Sequence, residues 1–129
     1  MPSVLNVDTL VAANGTDPVT LTKQSAAKAW AIKSTDGSSI DGSFAISSLD
    51  DDGSGDFGLN FSSSFDSANY AVTATARDNT SNVITFHCDV SKNTQAAGAV
   101  DLEVYYNNAS SVRNMFDEKV YVTTHGDLA

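Results

Sequence analysis

Cysteine is nearly absent from this chain of 129 residues: Cys88 stands alone. No internal disulfide can form, so burial and hydrogen bonding must hold the fold, and such sparing use of cysteine fits assembly in a reducing cytoplasm. Basic residues are scarce as well. Seven Lys and Arg face sixteen Asp and Glu, giving a formal net charge of −9 and a pI of about 4.2. The cations are scattered and form no stripe, so phosphate backbones and anionic headgroups would repel the protein, and neither nucleic acid nor a membrane is an expected partner. No apolar run approaches the roughly 18–20 residues of a bilayer-crossing helix. The opening Met1-Pro2-Ser3-Val4-Leu5-Asn6-Val7-Asp8 lacks the basic and apolar regions of a signal peptide. There is no Gly-rich phosphate loop, nucleophile elbow or paired zinc motif. Catalytic residues and cofactors are therefore not expected.

What is present is alternation of period two. Phe57, Leu59 and Phe61 are separated by single polar or small residues, and so are Tyr70, Val72, Ala74 and Ala76. The same holds for Ile84, Phe86, Cys88 and Val90, for Val100, Leu102, Val104 and Tyr106, and for Val120 and Val122. Each series predicts a half-buried antiparallel strand with one face on a core and one in water. Turn residues fall between the runs. Thr35-Asp36-Gly37-Ser38-Ser39 should separate a strand ending near Lys33 from one over Phe44 to Leu49, and Asp50 to Gly55 should form a turn leading into Phe57. Asp78-Asn79-Thr80-Ser81-Asn82 reads as a hairpin loop. Gln24 to Ala31 is read as a strand, because Trp30 and Ile32 share one face, and Asn107 to Phe116 has room for one helical turn. The expected fold is an all-β antiparallel sandwich.

The first part of the chain differs. Val4, Leu5, Val7, Leu10 and Val11, then Val19 and Leu21, make two apolar strips around Asn14-Gly15-Thr16-Asp17-Pro18. A hairpin this short is marginal alone, so it should dock on the main domain or on a neighbouring subunit. A boundary near Lys23 divides a docking or oligomerisation segment, 1–23, from a sandwich domain, 24–129.

Several groups invite a chemical reading. Asp50-Asp51-Asp52-Gly53-Ser54-Gly55-Asp56 suits a hard cation in composition, but Phe61 stands where a calcium loop of the helix-loop-helix type needs its acidic twelfth residue. An acidic, solvated turn is the better account. His87 and Cys88 are neighbours on a strand and so point to opposite faces, which separates a base from its nucleophile and leaves Cys88 as a small buried hydrophobe. His125 sits where an exposed strand end is expected. Four Asn-x-Ser/Thr triplets, at Asn14, Asn60, Asn79 and Asn108, are what a chain rich in these residues yields by chance. Tyr105 and Tyr121 should point outward, opposite to Val104 and Val120, as surface packing, a subunit interface or a sugar-stacking site.

The stretch Ala27-Lys28-Ala29-Trp30 is followed by Ser43-Phe44-Ala45-Ile46-Ser47-Ser48, then Asp52-Gly53-Ser54-Gly55-Asp56-Phe57-Gly58-Leu59-Asn60-Phe61, then Ala68-Asn69-Tyr70-Ala71-Val72. In order and spacing this resembles a module of tail-fibre and other virion proteins of tailed bacteriophages, marine ones especially. Val4 to Leu10 is similar to the short lead-in of such proteins, and Lys119 to Val122 to a final strand. Ala31-Ile32-Lys33 departs from the pattern, which has an aromatic there. The resemblance implies a β-rich component of the particle exterior, trimeric, assembled in the host cytoplasm, with other virion proteins as partners and a host glycan or receptor as target. It brings no catalytic or metal-binding residue. The expected function is host attachment and assembly, with a capsid decoration or cement protein as the alternative within the particle and a carbohydrate-binding sandwich as the alternative outside it. The expected interface comprises Val4, Leu5, Val7, Leu10, Val19, Leu21, Tyr105 and Tyr121.

Overall fold

The computed structural model describes residues 27–77, 85–91, 95–107, 110 and 112–127. The segment 1–23, with Val4, Leu5, Val7, Leu10, Val19 and Leu21, lies outside them, as do the boundary near Lys23 and the Asp78–Asn82 loop.

Nine strands and no helix occur among these residues: β1 (Ala29–Lys33), β2 (Ile40–Phe44), β3 (Ile46–Gly53), β4 (Asp56–Phe61), β5 (Ala71–Ala76), β6 (Phe86–Val90), β7 (Ala99–Asn107), β8 (Arg113–Met115) and β9 (Val120–His125). They form two antiparallel sheets packed as a sandwich. The four-stranded sheet has the order β2-β1-β9-β5, and the five-stranded sheet runs β3-β4-β7-β6 with β8 also on β7. Because Tyr105 and Tyr106 oppose His87 and Phe86 on one side and Met115 and Asn114 on the other, β8 continues the line of β4 past its end.

The alternation in sequence becomes the core. Phe57 and Leu59 from β4, Val100, Leu102 and Val104 from β7, and Val120 and Val122 from β9 are buried against Ala29 and Ala31 of β1. Each large apolar side chain taken out of water this way contributes about 1.5–3 kcal/mol. Phe86 and Cys88 flank the core, whereas Val90, at the end of its strand, is an exposed hydrophobe. Phe61, Phe65 and Tyr70 close one end, with Phe65 stacked on Tyr70 at 4.2 Å and Phe61 edge-on to Phe65 at 5.0 Å. The Tyr70 hydroxyl lies 3.0 Å from the Ala96 carbonyl and 2.9 Å from that of Ala99. Burial pushes its pKa up to about 12.

Three local expectations are corrected. Phe44 to Leu49 is not one strand: β2 belongs to one sheet and β3 to the other, and the chain changes sheet at Ala45, whose φ is 56°. A left-handed residue with a Cβ costs about 1 kcal/mol, and here it redirects the chain where no glycine marks the place. Asp50 to Gly53 is strand, and the turn is only Ser54-Gly55. The run Asp50-Asp51-Asp52 thus lies on an edge strand, with a register shift between Asp51 and Gly53. Charges and a bulge at a sheet edge deter pairing with another chain. The Asp78–Asn82 loop does not join a hairpin, because β5 pairs with β9 and β6 with β7. Within Asn107 to Phe116, Arg113–Met115 pairs as a strand, and Asn108, Ala109 and Ser111 lie outside the described residues.

The side chains of β1 supply one more finding. The face shared by Trp30 and Ile32 is the outer one, and Ala29, Ala31 and Lys33 face the core, with relative exposures of 2%, 1% and 1%. The two alanines leave room for the rings of the opposite sheet. The Thr35–Ser39 turn forms as expected: the Asp36 carboxylate accepts from the Ser38 and Ser39 amides and from the Ser39 hydroxyl. The Ser39 hydroxyl is the main reason its pKa is lowered.

Candidate functional site: an aromatic outer face and a buried polar node

The outer face of the four-stranded sheet consists of the residues that oppose one another across it. In one row Phe44 faces Trp30, which faces Thr123, which faces Thr73; in the next Gly42 faces Ile32, Tyr121 and Thr75 in turn. Trp30, Phe44 and Tyr121 are 38%, 59% and 43% exposed. The Trp30 ring extends over Gly42, where an added Cβ would lie 3.6 Å from it. These rows contain no charge. The ion pair of Lys119 with Asp41 stands at their margin, and Arg77, whose amide bonds the Lys119 carbonyl at 2.8 Å, stands at the same margin. Rings and threonine methyls on a flat sheet suit a protein surface or the face of a sugar ring.

The outer face of the five-stranded sheet is acidic and tied to itself. Tyr105 stacks on His87 at 5.3 Å, lies under the Arg113 guanidinium at 3.8 Å and donates its hydroxyl to Asp89 at 2.5 Å. That bond is the first reason the phenol pKa is raised. Arg113 is also ion-paired with Glu103. Asp56 opposes Glu103, and its pKa is raised by desolvation first, then by the charges of Glu103, Asp52 and Asp101. Asp50 accepts from the side-chain amide of Asn60 at 2.8 Å, and Asn60 itself lies in β4. Among the described residues no group of three or more His, Cys, Asp and Glu side chains is arranged to hold a metal ion. His87 and Cys88 do lie on opposite faces. Burial first, then the charge of Asp89, pushes the Cys88 thiol up to about 12.

Tyr105 and Tyr121 both point outward as expected, but on opposite sheets, so no single surface includes both. The aromatic face joins Tyr121 instead to Trp30 and Phe44, which the sequence pattern did not mark as interface residues. A signal for it existed in β1, where the small Ala29 and Ala31, with Lys33, alternate with the large Trp30 and Ile32.

The second missed feature lies at the end of the sandwich opposite the Phe61–Phe65–Tyr70 cluster. Lys33 extends inward from β1, its Nζ 5.2 Å from the centre of the buried Phe57 ring. It donates to the carbonyls of Ser34 at 3.2 Å and Glu118 at 3.4 Å and stands 3.5 Å from Asp117 Oδ1. The Gly55 amide donates to the same oxygen at 2.9 Å. A Cβ on Gly37 would lie 3.1 Å from it, and a Cβ on Gly55 would meet the Val104 carbonyl oxygen at 2.4 Å. Both glycines have positive φ, 84° and 72°, so each turn can approach only with glycine there. Glu118, on the inward parity of Val120 and Val122, is 3% exposed.

Comparison of the chain with protein-family models, with curated proteins and with solved structures gave no match.

Proposed function

We propose that this chain is a non-enzymatic structural module on the exterior of a tailed-bacteriophage particle, tail-fibre-like, serving assembly and host attachment as a homotrimer. The order of the Ala27–Trp30, Ser43–Ser48, Asp52–Phe61 and Ala68–Val72 segments supports the phage setting. The observation that carries the structural role is the uncharged face of Trp30, Phe44, Ile32 and Tyr121, whose three exposed rings lie on a rigid sheet. On a protein of net charge −9, an uncharged face is where copies can meet without bringing like charges together. Light scattering after size exclusion tests this: the chain should run as a trimer, and the Trp30→Ser, Phe44→Ser double variant as a folded monomer. A wild-type monomer at micromolar concentration would defeat the assembly role.

The same face favours a second reading, a carbohydrate-binding module, because rings beside the hydroxyls of Thr73, Thr75 and Thr123 can stack on and bond to sugars. Binding on a glycan array that is lost in Trp30→Ser would select it. Within the particle, mass spectrometry of separated heads and tails distinguishes attachment from capsid decoration: recovery with heads alone would assign the decoration role.

A further inference from the structure

We propose that Lys33 and Asp117 become joined by an amide bond, an internal cross-link between β1 and the segment that leads into β9. Three separate pieces of chain converge on the Asp117 carboxyl group: Lys33 from β1, Gly37 from the turn after it and Gly55 from the β3–β4 turn. The lysine is enclosed, with 1% of its side chain exposed, and its nitrogen is fixed 3.5 Å from Oδ1 by two backbone carbonyls. Two groups positioned in this way react as one molecule, with effective concentrations on the order of 10⁵ M or more where alignment is good.

The step needs the neutral amine and the carboxylic acid. The Nζ lone pair attacks Cγ of Asp117, and charge develops on Oδ1, where the Gly55 N–H already donates as an oxyanion-stabilising group. Nζ gives up a proton, which passes to Oδ2, and the C–Oδ2 bond breaks to release one water. The products are a secondary amide and water, so the atoms balance and no oxidant or co-reactant is required. Asp117 is 30% exposed on its side chain, which gives the water a way out. A buried lysine charge and its half-buried carboxylate partner, part of whose attraction is offset by desolvation, are replaced by one neutral amide.

The position in the fold gives the bond a purpose. β1 and β9 are neighbours, so tension that enters before β1 and leaves after β9 would open them like a zipper. A bond at the far end of that pair, between residues 33 and 117, carries the tension past the chain between them, so that residues 34–116 are not pulled even after β1 and β9 have parted.

The test is the intact mass of the denatured full chain. It should fall short of the sequence mass by one water, and proteolysis should yield a branched peptide joining the Lys33 and Asp117 regions. Lys33→Arg and Asp117→Ala should each restore the missing water. A wild-type chain at full mass overturns the proposal. So does a water loss confined to one linear peptide, as cyclisation at Asp36-Gly37, Asp41-Gly42 or Asp52-Gly53 would produce.

Discussion

On the outer face of the five-stranded sheet the large side chains are engaged with one another; on that of the four-stranded sheet they face water. Tyr105 is held by His87, Arg113 and Asp89 at once, whereas Trp30, Phe44 and Tyr121 are among the exposed large hydrophobics. Strand geometry is the same on both sides, so the difference lies in what the sequence places at outward positions: acids with a few partners on one face, rings and threonines on the other. A face whose bonds are already made stabilises the single chain. A face of exposed rings does little for the single chain and much for whatever covers it.

Substitution of one aromatic on each face separates these roles and should have the largest effect. Tyr105→Ala removes a ring stack, a cation contact and a bond to a carboxylate, and should lower stability in urea by about 1–2 kcal/mol. Trp30→Thr keeps a residue that favours strands and should cost about 0.5 kcal/mol in the monomer. Equal losses would mean that the two faces are not distinct. The two outward glycines give the next test. A Cβ on Gly58 would lie 2.8 Å from Asp101 Oδ1 and 3.4 Å from Asp50 Cβ, whereas one on Gly42 meets only the Trp30 ring, at 3.6 Å. Gly58→Ala should therefore destabilise by roughly 1 kcal/mol, while Gly42→Ala should be neutral or slightly stabilising, because the strand loses its most flexible residue; thermal melts of both would show it.

The smallest effect concerns charge. The folded pKa of Asp56 is raised above 3.8. Between the unfolded and folded values the native state therefore holds more protons, so stability falls as pH rises through that window and stays lower above it. Asp56→Asn should remove this decline and raise stability at neutral pH by roughly 0.3 kcal/mol, solvent screening keeping it small. Urea titrations across acid pH that show no difference from wild type would mean that the acidic face carries no strain at this position.

The sandwich was legible because burial has period two: among the described residues the alternating runs became strands with their apolar sides inward, from Phe57–Phe61 to Val120–Val122, apart from the exposed Val90. Local turns formed by side-chain bonds, such as Thr35 to Ser39, were legible for the same reason. What was not legible depended on distant parts of the chain. Nothing near Ala45 announces that the chain changes sheet there, and Asp50 to Asp52 resemble a turn until the strand beside them is known. The buried role of Lys33 requires Asp117, Gly55 and Phe57, which are far from it in sequence and come together only in the closed fold. The outward aromatic face is half visible in the sequence: alternation with Val120 and Val122 turns Tyr121 outward, but its neighbours Trp30 and Phe44 reach it through the pairing of β1 with both β2 and β9.

That pairing has a consequence for synthesis. β1 and β2 leave the ribosome early and β9 last, so the contact between them spans most of the chain and forms late, as distant contacts do. The local β3–β4 hairpin can close long before. Trp30 and Phe44 therefore have no complete surface to offer until Tyr121 takes its place between them and β5, and a nascent chain cannot stick to its siblings through a platform that translation has yet to finish.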